Sequence, residues 1–212
     1  MAAAAAPVIT GAEDVVLMQD ISWNTYCRLN DENELLATRM AFFEGTLEIM
    51  TVSAKHEKWE RKIDFLVRTL ADSLGLDCEG FASVTMRRSD LLAGVEPDAC
   101  FYFGPLAAAM RGREELDLHI DPAPELAVEV DISRRSISKF SLYASLGVAE
   151  LWRFHQDEVL IYRLEGRQYQ QAAASQFLPN VSAVTLSHLL ADANVLPLSE
   201  WIQRIRSAAH QR

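Results

Sequence analysis

Apolar residues recur at steps of three and four along the segment that follows Ser53. They are Trp59, Ile63, Leu66, Val67, Leu70 and Leu74. This spacing places them on one face of a helix, as expected of a helix that packs on a core. Ser53 is a residue type that caps helix N-termini, and Gly75 is the type found where helices end. The pattern therefore predicts a long helix from Ser53 to about Leu74.

Shorter helices are predicted from similar spacing and from capping residues. Asp20 is expected to cap the first of them, and Ser133 or Ser136 the one that ends at Gly147. The predicted ranges are 21–29, 105–113, 133 or 136 to 147, 187–191 and 198–209.

Strands are predicted where apolar, β-branched and aromatic residues are concentrated between turn residues. The first two flank a tight turn at Glu44 and Gly45, and residues 89–94 are predicted to form a loop. The predicted strands are 35–43, 46–51, 82–87, 98–103, 123–132, 150–155, 159–164 and 168–173. Strands and helices in this order indicate an α/β fold with a mixed parallel and antiparallel sheet.

Two of the predicted strands contain a carboxylate within an otherwise apolar run. Asp98 lies in E-P-D-A-C-F-Y-F, and Glu129 lies in P-E-L-A-V-E-V. An ionised carboxylate in a buried strand is costly unless a positive or hydrogen-bonding group compensates it. If the strands are neighbours, the two side chains can meet on one face, where their oxygens suit Mg²⁺ or Mn²⁺. The alternative is that Glu129 forms a structural ion pair with an arginine or a lysine.

Lys139 is predicted to lie in the first turn of the helix after the Glu129 strand. A cation there opposes the helix dipole, but Tyr143 and Leu146 share its face, which suggests that its side chain points inward. Near a metal-bound water, the ammonium group could orient the water or stabilise negative charge in phosphoryl transfer. The alternative is a lysine whose stem packs on a half-exposed face while its charge reaches solvent.

His56 precedes the apolar stripe that begins at Trp59, so it is expected to face inward near the start of the long helix. There it could reach a metal-bound carboxylate or a phosphate, and the alternative is a core histidine with satisfied hydrogen bonds. The segment H-E-K-W-E is not a zincin motif, because Glu60 stands where the second histidine would be. Glu48, on the second strand, is expected to face solvent.

Composition places the chain among ordinary globular proteins. Half of its 212 residues are apolar, which suffices for one domain with a substantial core. We expect a flexible tail over residues 1–12 and a single domain over 13–212. No apolar run approaches the roughly 18 residues that cross a bilayer, and no basic segment indicates a signal peptide. Three scattered cysteines argue against a disulfide framework or a zinc knuckle. A cytoplasmic protein with no membrane contact is therefore expected.

The formal charge of −10 counts against nucleic-acid binding over the surface as a whole. A nucleic-acid role would depend on a local basic patch or a bound cation. Basic residues do cluster at 55–62, 87–88 and 134–139, although such runs also occur as solvated faces that balance nearby acids. The chain contains no G-x-S-x-G, Walker or G-x-G-x-x-G motif, which disfavours nucleophilic acyl chemistry and nucleotide binding.

Several of these segments together resemble the Uma-type restriction endonuclease family of the PD-(D/E)XK nuclease superfamily. The resemblance runs from about Leu35 to Leu164 and includes E-G-T-L-E-I-M, His56 and the strand of Asp98. Its most specific part lies between Glu129 and Phe154, where E-V-D-I-S, a lysine, L-Y-A, G-V-A-E and W-R follow in order.

The resemblance implies a restriction endonuclease-like fold, with a mixed β-sheet flanked by helices, and Mg²⁺- or Mn²⁺-dependent hydrolysis of DNA. It implies that Asp98 and Glu129 bind the metal and that His56 assists with phosphate or proton transfer. The family's usual lysine, two residues after the strand carboxylate, is replaced by Asp131, so Lys139 would supply the amine from the helix. Asp131 would be a further metal ligand or a counter-charge to Lys139.

Two hypotheses follow. The first is a DNA endonuclease, which in this fold often acts as a homodimer. The second is a catalytically inactive nuclease-like domain that serves as a binding or regulatory module, which the acidic charge and the replaced lysine favour. Trp152, Phe154 and Trp201 would contribute either to a dimer interface or to the core.

Overall fold

The computed structural model describes residues 14–32, 38–82, 84–131 and 139–210. In these ranges the helices are α1 (Trp23–Asp31), α2 (Ala54–Ser73), α3 (Gly104–Met110), α4 (Lys139–Leu146), α5 (Ala183–Asp192) and α6 (Leu198–Ala209). The strands are β1 (Val15–Met18), β2 (Thr38–Phe43), β3 (Thr46–Thr51), β4 (Cys78–Phe81), β5 (Met86–Arg88), β6 (Ala93–Val95), β7 (Ala99–Phe103), β8 (Leu126–Asp131), β9 (Glu150–His155), β10 (Glu158–Glu165) and β11 (Gln168–Ala172). The predicted α/β class is confirmed.

The larger of two sheets has the strand order β11-β10-β9-β8-β7-β4. β8 and β9 are parallel, with Glu129 opposite Arg153, whereas the other neighbouring pairs are antiparallel. A parallel pair needs a crossover connection, and α4 lies in the segment that joins β8 to β9. This sheet is therefore mixed, as the sequence predicted.

The smaller sheet is antiparallel throughout and has the order β1-β3-β2-β6-β5. Its centre is the predicted hairpin of β2 and β3. Glu44 and Gly45 form the turn, with φ angles of 48° and 86°. Two-residue hairpin turns require such left-handed backbone, because it matches the twist of the strands.

The prediction for residues 82–94 was wrong. Of the described residues in 82–87, those at 82, 84 and 85 lie outside the strands, because the chain passes there from β4 in the larger sheet to β5 in the smaller one. The predicted loop at 89–94 contains a 3₁₀ turn at Ser89–Leu91 followed by β6. Gly94, a poor strand former, concealed β6. Its lack of a side chain is necessary, since a Cβ there would lie 2.3 Å from the Tyr26 hydroxyl oxygen.

The ends of α2 are as predicted, whereas the start of α1 is not. The Ser53 side chain accepts the amide hydrogen bond of His56 (3.2 Å), and Gly75 follows the C-cap with a φ of 67°. α1 is capped by Ser22, whose side chain accepts an amide hydrogen bond from the first turn. Asp20 lies two residues earlier with a φ of 56°, so it is not the cap.

One face of the larger sheet is covered by α2, α5 and α6. Ile63 of α2 is buried in this core with Val128 of β8. Complete burial of a side chain of this size contributes about 1.5–3 kcal/mol. Trp152, Phe154 and Trp201 are buried in the same core, which selects the core alternative over a dimer interface for these side chains.

The opposite face of the larger sheet packs against α3, α4 and part of the smaller sheet. Tyr102 and Ala127 of the sheet are buried there with Leu142 of α4 and Val95 of β6. Side chains alternate along a strand, so Glu129, two residues after Ala127, shares the face that α4 covers. This arrangement brings α4 to the strand carboxylate.

Some predictions lie outside the described residues. They are the tail at 1–12, the first residues of the strand predicted at 35–43, and the helix caps at Ser133 or Ser136. Within the described ranges, none of the helices combines the length and the apolar character that crossing a bilayer requires.

Candidate active site

Asp98 lies beside Glu129 at the point where β7 begins. β7 pairs with β8 in a register that sets Ala99 opposite Val128. The Asp98 amide donates to the Val128 carbonyl oxygen (3.2 Å), and the Asp98 carboxylate accepts from the Val130 amide (2.6 Å). These two bonds lie on either side of Glu129, so the structure brings the two predicted carboxylates to adjacent backbone positions.

The Asp98 carboxylate is 1% exposed and is contacted by two nitrogen-containing side chains. His56 Nε2 lies 2.8 Å from Asp98 Oδ1, and Arg39 Nε lies 3.2 Å from the same oxygen. Arg39 also reaches Glu60, whose Oε2 lies 2.8 Å from a terminal guanidinium nitrogen. A buried carboxylate needs such partners, because burial without them is strongly unfavourable.

His56 and Glu60 share a face of α2, because residues four apart in a helix are neighbours. Together with Asp98 they offer one imidazole nitrogen and two carboxylate oxygens that lie within 4.8 Å of one another. The predicted inward orientation of His56 is confirmed, since its side chain is completely buried. This donor set has the composition of a divalent-metal site.

Glu129 is contacted from α4. The Lys139 ammonium group donates to both carboxylate oxygens, at 2.8 Å and 3.1 Å, and the Tyr143 hydroxyl donates to one of them. Glu129 is 1% exposed and Lys139 is 9% exposed. Lys139 and Tyr143 are four residues apart on α4, so one helical face provides both partners. The inward orientation predicted for Lys139 is therefore confirmed. The alternative, in which the charge of Lys139 reaches solvent, is wrong.

Asp131 is held by a different cation. Its Oδ2 accepts from Arg153 Nε and lies 2.5 Å from a second nitrogen of the same guanidinium group. Its carbonyl oxygen lies 3.1 Å from His155 Nδ1. Arg153 thus supplies a counter-charge to Asp131, whereas the sequence predicted Lys139 for that role, and Lys139 contacts Glu129.

The surroundings of Arg39 and Glu60 shift the pKa values of both side chains. Burial acts to lower the pKa of Arg39, but Asp98 and Glu60 outweigh burial and raise that pKa above its ordinary value. The guanidinium group is therefore charged. Burial raises the pKa of Glu60 above its ordinary value, although Arg39 acts in the opposite direction. Perturbed groups around a cleft are typical of functional sites.

A cleft of 1010 Å³ opens next to these side chains. Arg39 and Glu60 form part of its wall, and Asp98 and His56 lie behind them. Other lining side chains are acidic, among them those of residues 114, 115 and 117. The first turns of α2 expose three cations, Lys55, Lys58 and Arg61, and Arg61 lines the cleft.

Sequence reasoning missed Arg39, and it considered Glu60 only as evidence against a zincin motif. Arg39 lies in β2, and its contact with Asp98 joins residues far apart in the chain, which local periodicity cannot reveal. Glu60 could have been found, since it lies one helical turn after His56 on the same face. The prediction that Glu48 faces solvent was wrong. Glu48 is 2% exposed, because it shares a sheet face with its cross-strand partner Ala41, which is buried in the core between the two sheets.

A comparison with protein families supports the resemblance seen in the sequence. A family model described as Uma2, Putative restriction endonuclease, matches residues 23–198. Among solved structures the chain is similar to a putative nuclease belonging to DUF820 from Anabaena variabilis ATCC 29413. The TM-score is 0.44 and the identity 13%, over 80% of this chain and 90% of that one. A search of curated proteins found no match.

Proposed function

The chain belongs to the Uma2 family of putative restriction endonucleases, and we propose that it is a divalent-metal-dependent endonuclease that hydrolyses DNA phosphodiester bonds. The observation that supports this most is the pair of buried carboxylates, Asp98 and Glu129, at adjacent positions of β7 and β8. Two acids buried side by side are costly for folding, and a metal-binding function accounts for them.

The residues fit a hard divalent cation such as Mg²⁺ or Mn²⁺. Asp98 and Glu129 would hold it through carboxylate oxygens, and His56 and Glu60 offer further donors next to Asp98. A bound divalent cation would supply an activated water and would stabilise the negative charge of the phosphoryl group. Asp131, the third predicted ligand, lies two residues after Glu129 on β8, and Arg153 engages its carboxylate at 2.5 Å.

Lys139 would act next to that water or phosphate. An ammonium group has three N–H donors, and the two contacts with Glu129 leave one for a further acceptor. The Tyr143 hydroxyl helps to fix Glu129, so the carboxylate and the ammonium group are positioned by one helix. His56, in contact with Asp98, would orient that carboxylate or assist with proton transfer.

DNA could approach along α2 despite the acidic net charge. Lys55, Lys58 and Arg61 are exposed on the first turns of this helix, and Arg61 also lines the cleft. Cations clustered in this way neutralise backbone phosphates locally, which is the main source of sequence-independent affinity. The binding should therefore weaken steeply with salt.

The test is plasmid nicking in Mg²⁺ or Mn²⁺ by the wild type, Asp98→Asn and Glu129→Gln. Both variants are expected to retain the fold and to lose nicking, with Glu158→Gln, an exposed carboxylate of β10, as the matched control. A folded wild type that nicks neither supercoiled plasmid nor linear duplex in either metal would contradict the proposal.

A second candidate function is a nuclease-like module that binds a partner without cleaving DNA. Protein cations already contact both carboxylates, Lys139 at Glu129 and Arg39 at Asp98, as they would in structural ion pairs. Calorimetric titration with Mn²⁺ distinguishes the two candidates. Heat of binding that disappears in Asp98→Asn supports the nuclease, and no heat with the folded wild type supports the module.

A further inference from the structure

Arg39 connects the two carboxylates of the proposed metal site that lie nearest the cleft. Its Nε lies 3.2 Å from Asp98 Oδ1, and one of its terminal nitrogens lies 2.8 Å from Glu60 Oε2. A third nitrogen lies 3.4 Å from the carbonyl oxygen of Pro97. The planar guanidinium group thus spans both carboxylates, which a lysine ammonium group could not do in the same way.

The same two carboxylates belong to the group that could hold a metal ion with His56. Arg39 and a divalent cation would therefore bind the same acids. The guanidinium charge lies within 3.2 Å of a candidate ligand oxygen, in surroundings from which water is largely excluded. Repulsion between cations at such short range is strong in a partly buried site.

Arg39 also lines the cleft, whereas Lys139, the cation that contacts Glu129, does not. A guanidinium group binds the oxygens of a phosphodiester in a two-pronged arrangement as readily as those of a carboxylate. A substrate phosphate in the cleft would thus compete with Asp98 and Glu60 for Arg39.

We propose that Arg39 is a positioning residue that links metal binding to substrate binding. It neutralises Asp98 and Glu60 until a divalent cation takes over that role, and it then turns to the phosphodiester in the cleft. This inference rests on the proposed nuclease function. It identifies a residue outside the predicted set of Asp98, Glu129, Lys139 and His56 as the one that sets metal affinity.

The inference makes two predictions of opposite sign for Arg39→Met, which keeps the length of the side chain and removes its charge. Mn²⁺ affinity, measured by calorimetry without DNA, should increase by about tenfold or more, because the competing cation is lost. Affinity for a short DNA duplex, measured by fluorescence anisotropy in Ca²⁺, should decrease several-fold, because a phosphate contact is lost. If Arg39 had only a structural role, its replacement would weaken both Mn²⁺ binding and DNA binding.

Arg39→Lys and Arg111→Met are the matched variants. Arg39→Lys retains the charge, so its gain in Mn²⁺ affinity should be smaller than that of Arg39→Met. Arg111 forms an exposed ion pair with Asp77 and does not line the cleft, so Arg111→Met should leave Mn²⁺ affinity unchanged. Arg39→Gln is a second neutral variant and replaces Arg39→Met if the latter does not fold.

The outcomes separate this inference from the proposed function. Unchanged or weaker Mn²⁺ binding in a folded neutral variant, with normal binding in the wild type, overturns the role of Arg39 and leaves the nuclease proposal intact. No Mn²⁺ binding by the wild type or any variant overturns both. Tighter Mn²⁺ binding together with weaker DNA binding supports the inference.

Discussion

The Lys139 ammonium group lies 2.8 Å and 3.1 Å from the two carboxylate oxygens of Glu129, and both side chains are buried between β8 and α4. The two charges therefore neutralise each other where water has little access. In such surroundings each partner depends on the other, because an isolated charge would be left poorly solvated. Under the proposed function the contact serves stability and catalysis together, and mutations can separate the two roles.

Lys139→Met should destabilise the protein by about 3–5 kcal/mol, because it leaves the Glu129 carboxylate buried without a cation. The Tyr143 hydroxyl would remain as a partner and keep the loss within that range. The free energy of unfolding can be measured by urea denaturation. Lys58→Met, at an exposed position of α2, is the control and should change stability by about 0.5 kcal/mol or less. Equal stabilities of the two variants would show that Glu129 does not need Lys139.

The double variant Glu129→Gln/Lys139→Met should be more stable than Lys139→Met alone, because no charge is left buried. A glutamine carbonyl can still accept the hydrogen bond of Tyr143. Nicking should be absent from the double variant as well as from both single variants. Recovered stability without recovered activity would separate the catalytic role of the pair from its structural role. Recovery of both in the double variant would contradict a catalytic role for either residue.

Local sequence patterns were sufficient to single out Glu129, Asp98, Lys139 and His56, but not Arg39 and Arg153, which contact Asp98 and Asp131. Glu129 and Asp98 stand out because a charged residue in an apolar strand violates the hydrophobic pattern, and such violations are where functional residues are found. Lys139 and His56 could be oriented from helical periodicity alone. These four residues could be identified because each depends only on the pattern of neighbouring residues in the sequence.

The contacts around Asp98 depend on pairing between distant segments. Arg39 reaches Asp98 because β2 of the smaller sheet begins beside the segment that leads into β7, where the Glu96 amide donates to the Met40 carbonyl oxygen. No local pattern indicates this arrangement. Asp131 likewise meets Arg153 because β8 and β9 are parallel neighbours. The short strand β6 escaped prediction because its central Gly94 is selected by the packing of Tyr26 rather than by strand propensity.

Glu150 should make stability depend on pH. It is completely buried, and burial raises its pKa above the ordinary value, against the opposing effect of the Gln176 amide and the Trp152 indole N–H. A raised pKa means that the folded protein holds the proton more tightly than the unfolded chain does. The contribution to stability is therefore greatest below the ordinary glutamate pKa and is lost as the pH rises through the raised value.

The measurement is urea denaturation of the wild type and Glu150→Gln at pH values from about 4 to about 8. The variant cannot titrate at this position, so the wild type should lose stability relative to Glu150→Gln as the pH rises. Glu158→Gln, at an exposed position of β10, should follow the wild type at every pH. If the difference in unfolding free energy between the wild type and Glu150→Gln is constant across the range, the Glu150 carboxyl group has the same pKa in the folded and the unfolded protein.

The two candidate donor sets share Asp98 but differ in their other members, and metal titration can distinguish them. One set adds Glu129, and the other adds His56 and Glu60. We expect Asp98→Asn and Glu129→Gln to abolish Mn²⁺ binding in calorimetry and Glu60→Gln to weaken it by about tenfold, as the loss of a supporting group does. Each variant must show the circular dichroism spectrum of the wild type. If Glu60→Gln and His56→Gln abolish binding while Glu129→Gln retains it, the ion lies on the α2 side of Asp98. Glu129 would then serve mainly as the partner of Lys139.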